Sequence, residues 1–298
     1  EPELAYDLLI AADGVNSRVR EELLRDSSSS LLYASAPLNG TLKVIHQKMP
    51  AALDPNSVHA MSGEVTLGEG EARERIGMFW VPERNRTTGE QQGCALLNWD
   101  VSNEPRTLLG MEEAEEVQAY FNKAFPSLQD GITLEAAEQF LRQTPSVNYV
   151  NKCSRYHDSR SRILLLGDAA HCTGGASGQG CNSALQDAAS LWRTLEECEH
   201  DLERAMEKFS EERVPEGHAL LDLSIHQSPR DPLLRVAFLL LNGVESLGHR
   251  LLPSLISPPT QNLLTQTDLP FTEIYRRKSW ILDIIKRSNA KFGAFTGY

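Results

Sequence analysis

The chain has 298 residues, of which 41% are hydrophobic and 23% are charged, and its formal net charge is −12. This composition is that of an ordinary globular protein long enough for one or two domains with a sizeable core. The acidic balance, without a Lys/Arg patch interleaved with aromatic residues, argues against nucleic acid as a partner.

The first predicted element is a short strand that leads into a turn and a helix. An apolar run from Leu8 to Ala12 ends at Asp13-Gly14, and Ser17 is a predicted N-cap for a helix that begins at Arg18. The alternative to a binding role for Asp13 is that of a turn and helix-entry residue, because Asp-Gly is a common turn dipeptide. Arg18 and Arg20 either meet cofactor phosphates or lie on a solvated helix face.

Residues 38–102 predict a mostly antiparallel sheet. Turn-forming stretches separate four β-rich runs, which are Thr41–Gln47, Val58–Val65, Arg75–Val81 and Cys94–Val101. Trp80 and Trp99 either line a substrate pocket or fill the core of this sheet. Two helices are predicted next, one over Met111–Ala124, which Pro126 ends, and one over Leu134–Arg142.

The most informative stretch is 163–187. Its apolar start, Ile163 to Leu166, predicts a buried strand that ends at Gly167-Asp168, and a glycine-rich loop then leads into a helix near Gly180. A carboxylate after the strand can accept hydrogen bonds from sugar hydroxyls. The free N–H groups at the start of the helix, those of Gly180, Cys181 and Asn182, can donate to an electron-rich group. The alternative is a strand, turn and helix that pack together and bind nothing.

The rest of the chain predicts helices. The first has an apolar face that includes Ala184, Leu185, Ala188, Leu191 and Leu195. Two more are predicted over 201–215 and Leu233–Leu251. Residues 276–298 carry six basic residues and one acidic residue, with apolar residues at helical spacing. This tail either makes peripheral contact with an anionic membrane or packs on its own domain.

The run Gly167-Asp168-Ala169-Ala170-His171 resembles the second FAD-binding motif of the flavin-dependent aromatic hydroxylases, with Gly178, Gln179, Gly180, Asn182 and Asp187 following at the family spacing. Asp13-Gly14 is similar to the Asp-Gly motif of the same family. The resemblance implies that Asp168 binds the ribityl chain of FAD and that the helix N-terminus faces the flavin ring, where its dipole would stabilise the reduced anion. The cofactor-binding residues implied are Asp13, Gly14, Arg18, Gly167, Asp168, Gly178, Gly180, Cys181 and Asn182.

The resemblance also implies the fold, which is α/β with an inserted α+β sheet. A partial, GR2-like Rossmann FAD-binding domain would comprise residues 1–30 and 151–215. An antiparallel-sheet substrate domain would span 31–150, and a C-terminal helical region would span 216–298. The implied reaction is hydroxylation of an aromatic small molecule. NADPH reduces FAD, dioxygen forms a flavin C4a-hydroperoxide, and the cofactor performs the chemistry without a catalytic side chain.

Segments that begin at Tyr120, Val150 and His249 are similar in pattern to the kynurenine 3-monooxygenase branch of this family. That branch has Pro-Phe-Phe where this chain has Gly175-Ala176-Ser177, positions that border the flavin and the substrate ring. A substrate-binding tyrosine of the branch aligns with Phe271, which lacks the hydroxyl. A bulkier or more apolar aromatic substrate is therefore as reasonable as a kynurenine-like one.

Two other hypotheses remain open. One keeps the fold but changes the reaction to epoxidation or oxidation of a prenyl or polycyclic lipid. The other follows from the lack of a Gly-x-Gly-x-x-Gly fingerprint in a chain that begins with Glu1. It describes a truncated, non-catalytic flavoprotein fragment that acts by binding a partner.

The cysteines predict neither a disulfide framework nor a metal site. Five of them, an odd number, are widely spaced, which favours a reducing intracellular compartment, either the cytoplasm or an organelle. His171 and Cys172, taken with Cys153, His157 and Cys181, match no common zinc spacing. Cys181 is either a reactive thiol at a helix N-terminus or a residue that contributes only its backbone N–H.

Overall fold

The structure is a computed structural model that describes residues 5–66, 73–128, 131–175, 177–227, 229–295 and 297. The chain forms two compact units, one made of Glu1–Ala36 and Tyr149–Tyr298 and the other of Pro37–Asn148. Across those described ranges, every helix is too short or too polar to cross a membrane.

Most strands precede most helices along the described residues, with α1 to α4 between strands and α5 to α10 at the end. In chain order the strands are β1 (Leu9–Ala11), β2 (Tyr33–Gln47), β3 (His59–Thr66), β4 (Arg73–Arg84), β5 (Gln91–Asp100), β6 (Ser146–Cys153), β7 (His157–Asp158) and β8 (Ile163–Leu165). The helices are α1 (Arg18–Arg25), α2 (Arg106–Leu109), α3 (Ala114–Ala124), α4 (Leu134–Arg142), α5 (Asp168–His171), α6 (Gly180–Glu197), α7 (Leu202–Ile225), α8 (Pro232–Leu251), α9 (Thr260–Gln266) and α10 (Phe271–Ala290).

The first unit contains a three-stranded sheet with the order β1-β8-β7. β1 and β8 are parallel neighbours, with Leu9 opposite Ile163 and Ala11 opposite Leu165. Both strands are confirmed, each slightly shorter than predicted. Because the carboxyl ends of parallel neighbours meet at one sheet edge, the turns after the two strands, Asp13-Gly14 and Gly167-Asp168, lie side by side. Buried residues of α6 and α7 pack with those of β8 to form the core here.

The second sheet has the order β3-β4-β5-β2-β6. β3, β4, β5 and β2 pair antiparallel, so the predicted antiparallel sheet is confirmed. One sheet face carries Met78 and Trp80, which join Phe121 of α3 and Phe140 of α4 in a buried core. Trp80 and Trp99 are both buried in that core, which supports the core interpretation for the two tryptophans.

The bounds of three helices can be compared with the predicted bounds. α4 has the predicted bounds, and α3 begins at Ala114 rather than Met111. α7 does not end at 215 but continues through Pro215 to Ile225, so the predicted border between 215 and 216 falls inside it. A proline inside a helix removes one N–H donor. Here the residues beyond it, including Leu220 and Leu223, are buried against α9 and α10, and this packing outweighs the loss.

Candidate functional site

The turn after β8 requires glycine at its first position. Gly167 has φ 61° and ψ −138°, a combination that is essentially restricted to glycine. A Cβ added to Gly167 would lie 3.0 Å from the Cβ of Ala184 in α6. The strand end and α6 can therefore approach closely only because no side chain stands between them.

The loop between α5 and α6 also depends on glycine. Gly174, Gly175 and Gly178 have φ values of 69°, 81° and 68°, in the left-handed region that other residues rarely adopt. Ser177 is buried, and its Oγ accepts a hydrogen bond of 3.4 Å from the backbone N of Gln179. Ala176 lies outside the described residues, so its predicted position at the substrate ring is untested.

The N-terminus of α6 carries no side-chain cap. Its N-cap residue, Gln179, makes no capping hydrogen bond; its Nε2 instead donates to the carbonyl of Leu264 at 2.9 Å. The Oε1 of the same side chain accepts a hydrogen bond of 2.9 Å from Nδ2 of Asn182. The first-turn N–H groups, at Gly180, Cys181 and Asn182, therefore remain available to a ligand, at the positive end of the helix dipole.

Asp168 stands beside this helix start. Its side chain is exposed, and its Oδ1 lies 3.9 Å from the position that a Cβ on Gly180 would take. The structure thus brings an exposed carboxylate and an uncapped helix N-terminus together, which is the arrangement that the sequence predicts. A ligand with hydroxyl groups next to an electron-rich edge matches this pair of features.

Asp13 caps α1. Its Oδ2 accepts hydrogen bonds from the backbone N of Arg18 at 2.8 Å and of Val19 at 3.4 Å. Burial raises the pKa of the Asp13 carboxyl, but hydrogen bonds from Ser17 and the backbone outweigh it and hold the pKa below its usual value. The geometry is that of a turn and helix-entry residue, with φ 81° at Gly14 and an exposed Arg18 side chain.

Arg20 has a role that neither sequence interpretation anticipated. It is buried, so it lies neither on a solvated face nor free to meet a phosphate. Its Nη1 donates to the carbonyl of Ala169 at 2.7 Å and its Nη2 to the carbonyl of Val15 at 2.6 Å. The side chain therefore ties the Asp-Gly turn to the Gly-Asp turn. An arginine in a short polar helix gives no sequence signal for such burial.

A buried hydrogen-bond network centred on Asp187 supports the Gly-Asp turn from the interior of the protein. The fully buried carboxylate accepts from the backbone N of Gly167 at 3.0 Å, from Nε2 of His171 at 2.6 Å and from Nε of Arg213 at 2.7 Å. Burial raises the pKa of Asp187, while His171 and Arg213 lower it, and the balance leaves the pKa below its ordinary value. An ionised carboxylate can only accept hydrogen bonds, so the imidazole donates from Nε2.

The network explains why the predicted apolar face of α6 is wrong in part. Leu185 and Ala188 are exposed, although Leu191 is buried as predicted. The buried side of α6 is largely polar and consists of Ser183, Asp187, Ser190, Leu191 and Thr194. Asp187 was part of the motif, but its role as the acceptor for three donors was missed. The sequence shows a carboxylate seven residues after the start of the helix, but it does not show that this carboxylate is buried.

Phe271 and Asn182 meet at one cavity. This cavity has a volume of about 400 Å³ and is lined by residues of α6, of α9 and of the start of α10, including Gln179 and Leu264. Phe271 is buried, and its backbone N donates to Oε2 of Glu216 at 2.7 Å. The other predicted substrate residues that the structure describes, Gly175 and Ser177, do not line this cavity.

The cysteines are free thiols. Burial raises the pKa of Cys153 to about 12 and the pKa of Cys172 to about 11, so both thiols are protonated at neutral pH. Cys181 is exposed at the start of α6. The one group of side chains in the described ranges that could share a metal ion lies elsewhere, at His46, Glu83 and Cys94.

Comparison with known proteins identifies the family. A family profile described as "FAD binding domain" matches residues 1–224, which is most of the chain. The chain therefore belongs to this family of FAD-binding proteins. The turn geometry agrees, because the exposed Asp168 and the uncapped start of α6 suit a hydroxyl-bearing, electron-rich cofactor.

Two relatives are similar in sequence to most of this chain. The chain is 26% identical to kynurenine 3-monooxygenase of Sus scrofa over 98% of this chain and 58% of that protein. It is 25% identical to kynurenine 3-monooxygenase of Flavobacterium psychrophilum over 74% of this chain and 46% of that protein. The chain thus spans about half the length of these relatives.

A solved structure shares the fold. It is the tetrameric form of 2-methyl-3-hydroxypyridine-5-carboxylic acid oxygenase, with a TM-score of 0.52 and 20% sequence identity over 74% of this chain and 53% of that one. The predicted fold class, α/β with an antiparallel sheet inserted in an FAD-binding unit, is confirmed.

Proposed function

We propose that the protein is an FAD-dependent monooxygenase that uses NADPH and dioxygen to hydroxylate an aromatic small molecule. The observation that carries the proposal is the Gly167-Asp168 turn, which sets an exposed carboxylate beside the uncapped start of α6 in a chain of the FAD-binding family. When bound, FAD supplies the redox chemistry that transfers one oxygen atom of dioxygen to the ring.

The residues of the chain would bind and orient the cofactor. Asp168 would accept hydrogen bonds from the ribityl hydroxyls, and the first N–H groups of α6 would donate to the electron-rich edge of the ring system. The positive end of the dipole of this 18-residue helix would favour a ligand that carries negative charge. Asp187 and Arg20 hold the turn in place but do not touch the cofactor, so they are positioning residues.

The proposed substrate is an aromatic molecule that is bulkier or more apolar than kynurenine. Phe271 offers a ring without a hydroxyl, and Gly175 contributes no aromatic surface. A hydroxyl that is absent from a binding site removes one hydrogen-bond partner for a polar substrate. The same features fit oxidation of a prenyl or polycyclic lipid, which is the second candidate.

Product analysis tests the proposal. The protein, loaded with FAD, is given NADPH and oxygen with kynurenine or with larger aromatic compounds, and products are identified by mass spectrometry. We expect a product that contains one added oxygen atom, and we expect Phe271→Tyr to favour kynurenine over the apolar substrates. FAD retention without any oxygenated aromatic product would contradict hydroxylation and favour the lipid candidate.

The third hypothesis, a non-catalytic fragment, predicts a stable protein that retains no flavin and binds a defined partner. Retention of FAD by the chain argues against it. The five free thiols support a reducing intracellular compartment for any of these activities.

We also propose peripheral contact with an anionic membrane. The C-terminal basic helix, α10, offers little for this contact, because Ile281 and Ile285 are buried and only Trp280 and Ile284 are exposed among its central apolar residues. α8 is the better candidate. It has no buried residue, and its outer side presents Leu233, Val236, Leu239, Leu240, Val244, Leu247 and Leu251.

The other side of α8 is half-buried and mixed in character, with Leu234, Phe238 and Leu241 beside polar residues. Its inner side places Asn242 against a cavity and Glu245 in an ion pair of 2.9 Å with the buried Lys278. Two exposed arginines, Arg235 and Arg250, lie near the two ends of the apolar stripe. Residues 229–298 carry nine Lys and Arg against five Asp and Glu, unlike the acidic remainder. An apolar stripe with basic flanks suits the surface of an anionic bilayer.

A further inference from the structure

Three neighbouring strands of the second sheet bring a histidine, a carboxylate and a thiol together. His46 of β2 lies directly opposite Cys94 of β5, and Glu83 of β4 lies opposite Gln92, two residues before Cys94. Alternate residues of a strand share a face, so the three side chains stand on the same face of the sheet. One imidazole nitrogen, one carboxylate oxygen and the sulfur all lie within 4.8 Å of one another.

The donor set has a defined chemical preference. Imidazole nitrogen and thiolate sulfur are ligands of zinc and similar divalent transition metals, whereas Mg²⁺ and Ca²⁺ take oxygen ligands almost exclusively. With metal–ligand bonds of about 2.0–2.3 Å, tetrahedral ligands stand about 3.3–3.6 Å apart. The present spacing of up to 4.8 Å is therefore close to that of a metal site.

The side chains can make the remaining adjustment. Nδ1 of His46 and Oε1 of Glu83 are 2.6 Å apart. An ion bound by both atoms would increase this distance by somewhat under ~1 Å. Their side chains are 48% and 30% exposed, so they can rotate without disturbing the core. Partial exposure also leaves a fourth ligand position open to water, as in three-ligand zinc sites.

A second layer of contacts orients the carboxylate. Nε2 of Gln92 donates to Oε1 of Glu83 at 2.6 Å. Groups that orient metal ligands in this way contribute to metal affinity although they do not touch the ion. An ordinary surface ion pair between His46 and Glu83 would need neither the amide of Gln92 nor the adjacent thiol.

We propose that His46, Glu83 and Cys94 form a binding site for a zinc-like divalent transition-metal ion, with water as the fourth ligand. On binding, the Cys94 thiol loses its proton to solvent and the thiolate bonds to the metal. Nδ1 of His46 gives up the proton that it donates to Glu83, so that the metal-bound imidazole is neutral and carries its proton on Nε2, and no oxidation or reduction takes place. The site joins β2, β4 and β5 and is independent of the proposed flavin chemistry.

Cobalt absorption spectroscopy tests the site. The chain is freed of metal with a chelator, kept reduced, and titrated with Co²⁺ and then Zn²⁺. We expect a thiolate-to-cobalt charge-transfer band that saturates at one Co²⁺ per chain and disappears when Zn²⁺ displaces it. Cys94→Ser removes the band, and His46→Gln weakens binding by at least about 100-fold, beyond the effect of losing a supporting residue.

Matched controls separate this site from adventitious binding. His59→Gln and Cys181→Ser, which change a half-buried histidine and an exposed cysteine elsewhere, retain the band at full intensity. Gln92→Leu weakens binding about tenfold. In the unsubstituted chain, Zn²⁺ protects Cys94 but not Cys181 from alkylation, as peptide mass spectrometry measures. The absence of the band, an equal band in Cys94→Ser, or equal alkylation with and without Zn²⁺ would overturn the proposal.

Discussion

At the scale of single residues, Asp187 contributes most to the geometry of the candidate cofactor site. It is fully buried and accepts hydrogen bonds from Gly167, His171 and Arg213. These donors come from the Gly-Asp turn, α5 and α7, so one side chain on α6 fixes the relative positions of four segments. The motif glycine and aspartate were visible in the sequence. The network beneath them was not, because it joins side chains on different helices, 16 to 26 residues apart, and local patterns do not show how those helices pack.

Replacement of Asp187 should lower the stability of the folded protein. In Asp187→Asn the guanidinium of Arg213 stays buried without its carboxylate, and removal of one partner from a buried ion pair typically costs about 3–5 kcal/mol. We expect a loss of that size in the free energy of unfolding, measured by urea denaturation. The control is Asp201→Asn, which keeps a good N-cap on α7 and should change stability by less than about 0.5 kcal/mol. Equal stability of both variants would show that the network is not stabilising.

His226 should make stability depend on pH. Burial lowers its pKa to about 4 from 6.5, an effect that nearby Lys286 and Arg230 reinforce and Asp222 opposes. The unfolded chain therefore binds a proton near pH 6.5, whereas the folded chain binds it only near pH 4. The stability contributed by neutral His226 is complete above that window and is lost as the pH falls through it.

Urea midpoints at pH 7.5 and pH 5, compared between the unsubstituted chain and His226→Gln, measure this contribution. The half-buried His157 and His218 have pKa values lowered by burial too, so some pH dependence should remain in the variant. We expect a smaller drop in the midpoint for His226→Gln. An identical drop in both proteins would mean that His226 does not titrate in this window.

At the scale of elements, local patterns predicted strands and helix starts well but not the faces that helices bury. The β-rich runs became β2 to β5, and Ser17 caps α1 as predicted, because alternation and capping are local properties. α6 instead buries a largely polar side, whereas α8 buries no residue and exposes a row of apolar ones. Amphipathic periodicity shows that a helix has two faces, but the neighbours in the fold decide which face is covered.

The exposed stripe of α8 gives an element-scale prediction. Leu240→Gln combined with Leu247→Gln should reduce co-sedimentation with vesicles of anionic lipid several-fold, because each exchange removes apolar area that would enter the headgroup region. Both positions are exposed, so the free energy of unfolding should change by no more than about 1 kcal/mol in total. Trp192→Gln, an exposed apolar residue on α6, is the matched control and should sediment normally. Unchanged sedimentation of the α8 variant would remove this helix from any membrane contact.

At the scale of the whole molecule, the architecture was predictable because two short motifs indicated the fold class of the protein. Asp13-Gly14 and Gly167-Asp168 follow two strands that are parallel neighbours, so motifs separated by more than 150 residues meet at one sheet edge. The antiparallel sheet between the two motifs was predictable because its β-rich runs are separated by turn-forming stretches. The path of α7 through Pro215, the burial of Arg20 and the His46–Glu83–Cys94 group could not be predicted, since each depends on contacts between segments distant in sequence.

Fluorescence titration of FAD with the purified chain tests whether the Gly-Asp turn and the start of α6 hold FAD. We predict saturable quenching of flavin fluorescence, weakened about tenfold or more in Asp168→Asn because a lost hydrogen bond to a charged group costs about 1.5–3 kcal/mol. Asp201→Asn should bind FAD like the unsubstituted chain. Absence of saturable quenching, or quenching that Asp168→Asn leaves unchanged, would contradict the account.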